Sequence, residues 1–176
     1  MKKLLSSTIL ASAMVYGAAA SAQGLQIQPS GFNNTWVDVE YVDVADGAVR
    51  ARGSYGFDKN LNAIGSVILG DGFKGLTGGV SYAVGLQDKL DMLLHAELTY
   101  IDVDCAGSCD DTDFRLGSEF RFQLMQPLEL YGDIYYQDGV DFDLGARYTV
   151  KEGLKIIGGV DFSDDETLHI GARIEF

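Results

Sequence analysis

The chain has two histidines, His95 and His169, and both lie close in sequence to carboxylates. Glu97 follows His95 by two residues, so on an extended strand the two side chains leave the same face within reach of each other. His169 follows Asp161 and Ser163. Groups of this kind are raw material for an enzyme that hydrolyses lipid or peptide. Such an enzyme also needs a nucleophile at hydrogen-bond distance and an oxyanion site. The spacing supplies neither, so a histidine held in a charge network is the plainer reading and no catalysis is expected.

A second concentration of chemistry surrounds Cys105 and Cys109. Asp102, Asp104, Asp110, Asp111 and Asp113 flank the pair. Carboxylate oxygens suit calcium or magnesium, but the spacing is not that of a twelve-residue EF-hand loop. A weak cation site is the most this segment offers, and no other cofactor is expected. The two thiols suit a small disulfide staple if the chain is exported to an oxidising compartment.

Export is what the N-terminus indicates. Lys2 and Lys3 precede an apolar stretch from Leu4 to Ala20, and Ala20-Ser21-Ala22 fits a small-x-small cleavage pattern. Residues 1–22 therefore read as a secretory signal peptide, 23–33 as a short periplasmic lead-in and 34–176 as one domain. Of 13 Lys+Arg and 26 Asp+Glu, cleavage removes two lysines, leaving a net charge of −15 with histidines neutral. A surface that acidic argues against nucleic acid as a partner.

Ten segments with period two follow: 35–43, 49–57, 61–69, 75–84, 90–101, 113–122, 128–136, 141–150, 154–162 and 167–176. Gly, Asp, Asn, Lys and Pro separate them. In each, one parity is apolar and the other carries charge. The charged parity holds Asp38, Glu40, Arg50, Arg52, His95, Glu97, Arg115, Glu119, Arg121, Asp133, Asp143, Arg147, Asp161, His169 and Arg173. A soluble sandwich would turn these residues to water.

Three features point the other way, to charges inside and apolar residues facing lipid. Aromatic residues on the apolar parity gather at both strand ends: Tyr55, Tyr82 and Tyr148 at one, Tyr41, Tyr100 and Tyr136 at the other, while Trp36 sits near the first of these ends on a parity that alternation leaves open. Two girdles around an aliphatic band are the exterior of a membrane barrel. The strand number is even, and most lengths suit a tilted crossing. Thirteen acids but only one base, Lys74, fall at the end opposite the termini. The expected fold is an all-β, transmembrane, antiparallel meander β-barrel of about ten strands, with eight as the alternative.

The last strand, Leu168-His169-Ile170-Gly171-Ala172-Arg173-Ile174-Glu175-Phe176, alternates to a terminal Phe. Together with Arg52-Gly53-Ser54-Tyr55-Gly56 and Leu144-Gly145-Ala146-Arg147-Tyr148, it resembles the small outer-membrane barrels of the OmpA-like β-barrel superfamily. That resemblance implies a bacterial outer-membrane location. It also implies contact with outer-membrane lipid and lipopolysaccharide, and makes Phe176 the signal read by the barrel-assembly machinery. The best-known members have eight strands and long outer loops; here ten strands and mostly short loops are expected.

The interior decides function. Ten acids and seven bases on the inward parity can pair across the lumen, which favours a non-enzymatic structural or surface-interaction role. The alternative is a narrow, cation-preferring channel, with Gly79, Ser81, Gly117, Gly145, Gly159 and Gly171 leaving a thin wet path. Oligomeric state is not legible.

Overall fold

The computed structural model describes residues 29–44, 46–104, 110–163 and 166–176. Ten antiparallel strands close into one barrel: β1 (Trp36–Val42), β2 (Ala48–Gly56), β3 (Leu61–Gly70), β4 (Phe73–Gln87), β5 (Leu90–Val103), β6 (Asp110–Met125), β7 (Leu128–Tyr136), β8 (Val140–Lys151), β9 (Leu154–Phe162) and β10 (Glu166–Glu175). Each strand pairs with its sequence neighbours, and β1 closes on β10. The signal-peptide segment, Cys105 and Cys109 lie outside the described residues.

Closure leaves no free sheet edge, as lipid requires of a sheet. The polarity is inverted. Val39, Leu98, Leu144, Ile156 and Ile170 are exposed on the outer wall, while Asp38, Glu97, Arg121, Glu129 and Arg173 are buried within. Both aromatic girdles are in place, with Tyr55, Tyr82, Tyr148 and Phe176 toward the end bearing the termini and Tyr41, Tyr100, Phe114 and Tyr136 toward the other. We call these the terminal end and the loop end. The two-residue turns Asp71-Gly72 and Glu152-Gly153 each set glycine at φ +74°, where a Cβ would be strained.

Three features differ from the sequence expectation. Strands β4, β5 and β6 are longer, because polar or non-alternating stretches such as Asp110-Asp111-Thr112 still find ladder partners: Asp102 opposes Asp110, and Ile101 opposes Asp111. Asp102, Asp110, Asp111 and Asp113 therefore lie in strands rather than in a loop. Trp36, whose side was ambiguous by alternation, turns inward and is 5% exposed. Its ring lies under Arg173, 3.7 Å from centroid to guanidinium carbon.

The third difference concerns the inward glycines. The space beside them is occupied rather than open, by a neighbour's side chain at Gly117, Gly145 and Gly159 and by the Ala96 or Val39 carbonyl together with a glutamate at Gly79 and Gly171. A Cβ on Gly117 would sit 2.4 Å from His95 Nε2 and 2.7 Å from Tyr135 Cβ. A Cβ on Gly145 or Gly159 would strike the Tyr131 hydroxyl, and one on Gly79 or Gly171 would strike Glu97 or Glu40. Gly78, on the outer wall, has nothing within 4 Å of its would-be Cβ. We expect Gly117→Ala to cost about 1–3 kcal/mol through overpacking and Gly78→Ala to cost little. Urea unfolding of the two variants in micelles compares them directly.

Candidate functional site

The candidate site is the lumen. Every strand presents alternate residues to it, and the register sets which of them share a level. The lumen divides into two tiers. In the tier nearer the loop end, the side chains of Arg50, Arg52 and Arg115 keep 22, 20 and 18% exposure. In the tier nearer the termini, Arg121, Arg147 and Arg173 keep 0, 4 and 2%. Water therefore reaches the loop-end arginines and not those of the terminal tier.

The terminal tier is a plug of ion pairs. Glu129 is its hub: its carboxylate accepts from Arg147 Nη1 at 2.6 Å, Arg121 Nε at 2.9 Å and Lys155 Nζ at 2.9 Å. Glu119 takes a second set of bonds from Arg147 at 3.2–3.3 Å, and Glu175 meets Lys155 at 2.7 Å. Arg173 binds Asp38 through two parallel bonds of 2.7 Å. This fork matches carboxylate geometry, and it spans the closing β1–β10 seam. Arg147 also stacks on Tyr131, 4.0 Å from the ring centroid. A small cavity of about 20 Å³ beside Trp36, Arg52 and His95 has room for about one water.

Above the plug lies a belt of acids and imidazoles. Glu97 Oε1 is 2.8 Å from His95 Nδ1, and Asp133 Oδ1 is 2.9 Å from Nε2. Asp143 Oδ1 is 3.1 Å from His169 Nε2, and Glu40 Oε2 is 3.6 Å from Nδ1. Asp133 and Asp143 are direct cross-strand partners, so the two units adjoin. Arg50 pairs with Glu40, Arg52 with Glu97 and Arg115 with Asp133.

Asp161 does not serve His169. Its carboxylate accepts the Tyr135 hydroxyl at 2.8 and 2.9 Å, while His169 turns to Asp143 on the neighbouring β8 wall. His95 thus has a carboxylate beside each ring nitrogen, whereas His169 Nε2 meets Asp143 and, at 3.3 Å, the Tyr131 hydroxyl, with Glu40 farther off on the Nδ1 side. Sequence spacing identified the His95–Glu97 contact. It had no means of finding Asp133 or Tyr135, which come from β7, on the far side of β6.

At the loop end, Lys74 Nζ meets Asp102 at 2.9 Å and Asp113 accepts from Gln137 at 3.2 Å. Asp104 donates its backbone N–H to the Gly72 carbonyl. Among the described residues, no three His, Cys, Asp or Glu side chains converge as a metal-holding group.

These features have counterparts among solved structures. No protein-family profile matches the chain, and no curated protein matches it. The KdgM porin is similar to it with a TM-score of 0.54 at 11% identity, over 80% of this chain and 99% of that one. The KdgM porin in complex with disordered oligogalacturonate gives 0.53 at 12% identity over the same shares. The NanC porin gives 0.50 at 12% identity, over 81% of this chain and all of that one. The fold is that of an outer-membrane porin barrel. At such identities the likeness reaches the fold, a small outer-membrane β-barrel, and carries no assignment to the OmpA-like superfamily.

Proposed function

We propose that this chain is a narrow outer-membrane channel that passes water and small cations, with its periplasmic half closed in the present conformation. The terminal end then faces the periplasm and the loop end the exterior. The observation that carries this reading is the outer tier, whose arginines keep about a fifth of their surface exposed and whose ionisable side chains are mainly acidic. Asp113, Asp141 and Asp161 line it over the belt acids Glu40, Glu97, Asp133 and Asp143, against Arg50, Arg52 and Arg115. Seven acids face three arginines and two histidines, so acids are in excess whichever form the imidazoles take, and the rim above is acidic too. A mouth of one charge concentrates counter-ions and repels like charge.

The likeness to porins supports a conducting barrel. The oligogalacturonate seen with KdgM is a polyanion, and a tier this acidic is unsuited to one. The second reading, a sealed barrel with a structural or surface role, is favoured by the filled inner tier. In both readings the outer wall sits in lipid and lipopolysaccharide, and the outward ring of Phe176 serves barrel assembly.

Planar-bilayer recording separates the two. Purified protein in a KCl gradient should give small stepwise currents with a reversal potential on the potassium side. Asp143→Asn with Asp161→Asn should weaken that preference. Chloride preference would overturn the cation assignment, and a silent bilayer would leave the sealed barrel.

A further inference from the structure

The residues just before β1 do not hang free below the barrel. Ser30 to Asn34 cross the terminal mouth as a strap tied to the wall at several points. The Ser30 hydroxyl bonds the Asp91 carboxylate. Arg121 Nη1 donates to the Asn34 side-chain oxygen at 3.1 Å and toward the Asn33 carbonyl at 3.4 Å. The Phe32 ring lies under the same guanidinium, 4.5 Å from its centroid to the Arg121 carbon. Asn33 Nδ2 donates to the Phe176 carbonyl at 2.8 Å, which fixes the strap to the end of β10.

Position in the fold makes these ties significant. Asp91 is the second residue of β5, immediately past the Asp88-Lys89 turn, and Arg121 is its cross-strand partner. Charged side chains so close to the open end of a barrel would ordinarily meet water. Here Asp91 is 1% exposed and Arg121 0%. The strap is what covers them. Arg121 links it to the plug, because its Nε donates to Glu129 while its Nη1 and its face hold the strap. Pulling the strap away would wet Asp91 and free one side of the guanidinium that anchors the hub.

We propose that the Ser30–Asn34 segment is a latch on the periplasmic mouth, and that its release opens the lower lumen to solvent. The latch is defined by access of water to the inner tier. Its link to ion flow rests on the channel reading above, and the test separates the two.

In a Cys105→Ser, Cys109→Ser background, Ser54→Cys places a reporter thiol on the buried inner tier. The barrel is reconstituted with its terminal end facing the reagent and probed with a small cationic methanethiosulfonate. Ser30→Ala, Phe32→Ala and Asn34→Ala together remove the strap's side-chain ties to Asp91 and Arg121 and leave the Asn33 tie to β10 as a hinge, which should raise the labelling rate about tenfold or more. Folding is checked by heat-shifted gel mobility. If the triple variant does not fold, Phe32→Ala alone is scored, with a smaller rise expected. Labelling that stays at the parent rate in a folded strap variant overturns the latch. Conductance of the same samples is recorded in parallel. Faster labelling without current supports the latch and removes the channel reading; current without faster labelling keeps the channel and removes the latch.

Discussion

Replacing Glu129 by Gln is expected to destabilise the barrel by about 3–5 kcal/mol, the usual penalty for removing one partner from a buried ionic group. The side chain is 1% exposed and receives Arg147, Arg121 and Lys155 at 2.6, 2.9 and 2.9 Å. Glutamine keeps the shape but not the charge. Its amide group also turns donors toward a cation that was donating, so one of the three cations loses its acceptor. Arg147 keeps Glu119 and Lys155 keeps Glu175, but Arg121 reaches Glu119 only at 3.8 Å and is left short of a carboxylate.

Urea unfolding in phospholipid vesicles, followed by gel mobility, measures the loss. Adding Lys155→Met should recover part of it, because one cation in excess is removed from the plug and Glu175 sits near the mouth where water can solvate it. A shift under 0.5 kcal/mol for Glu129→Gln would mean that the lumen is wet enough to screen the hub, and the sealed inner tier would have to be abandoned.

The contrast between what alternation discloses and what it hides follows from the same hub. Which side chains line the lumen is a matter of parity, since successive residues of a strand point to opposite faces. Glu129, Arg147 and Lys155 therefore read as inward from their own strands. Who binds whom is a matter of register and tilt around a closed surface, and short-range pattern carries little of that. Asp38 and Arg173 are 135 residues apart and meet only because β1 closes on β10.

Trp36 was ambiguous because a tryptophan suits a girdle and an arginine-stacked interior equally well. The inward glycines misled for a different reason. A missing side chain reads as empty space in one strand, yet in a packed barrel it is the berth of a neighbour's large side chain, as Gly117 is for His95. The strap had no signal at all: five irregular residues show no period, and their meaning depends on Arg121, nearly ninety positions away. Parity thus carries the wall, and the plug and latch depend on long-range closure.

The inverted polarity predicts an asymmetry that a soluble β-protein would not show. Leu144 lies midway along β8 on the outer wall, between Gly132 and Val160, with Phe142 toward one girdle and Tyr148 toward the other. It is 49% exposed to whatever surrounds the barrel. If that surrounding is hydrocarbon, Leu144→Arg should cost about 2–4 kcal/mol, the penalty for a cation near the bilayer midplane. Val150→Arg, at the end of the same strand and on the same face, should cost about 0–1 kcal/mol because an interfacial arginine reaches the headgroups.

The depth dependence is the informative part. A water-facing wall would accept arginine at either site with changes within about 0.5 kcal/mol. Equal, small effects at Leu144 and Val150 in vesicles would therefore contradict a lipid-facing exterior, and with it the assignment of the charged parity to a sheltered lumen. A steep difference between the two sites ties the hydrocarbon to the middle of the aliphatic band, at the level where the outer tier gives way to the plug.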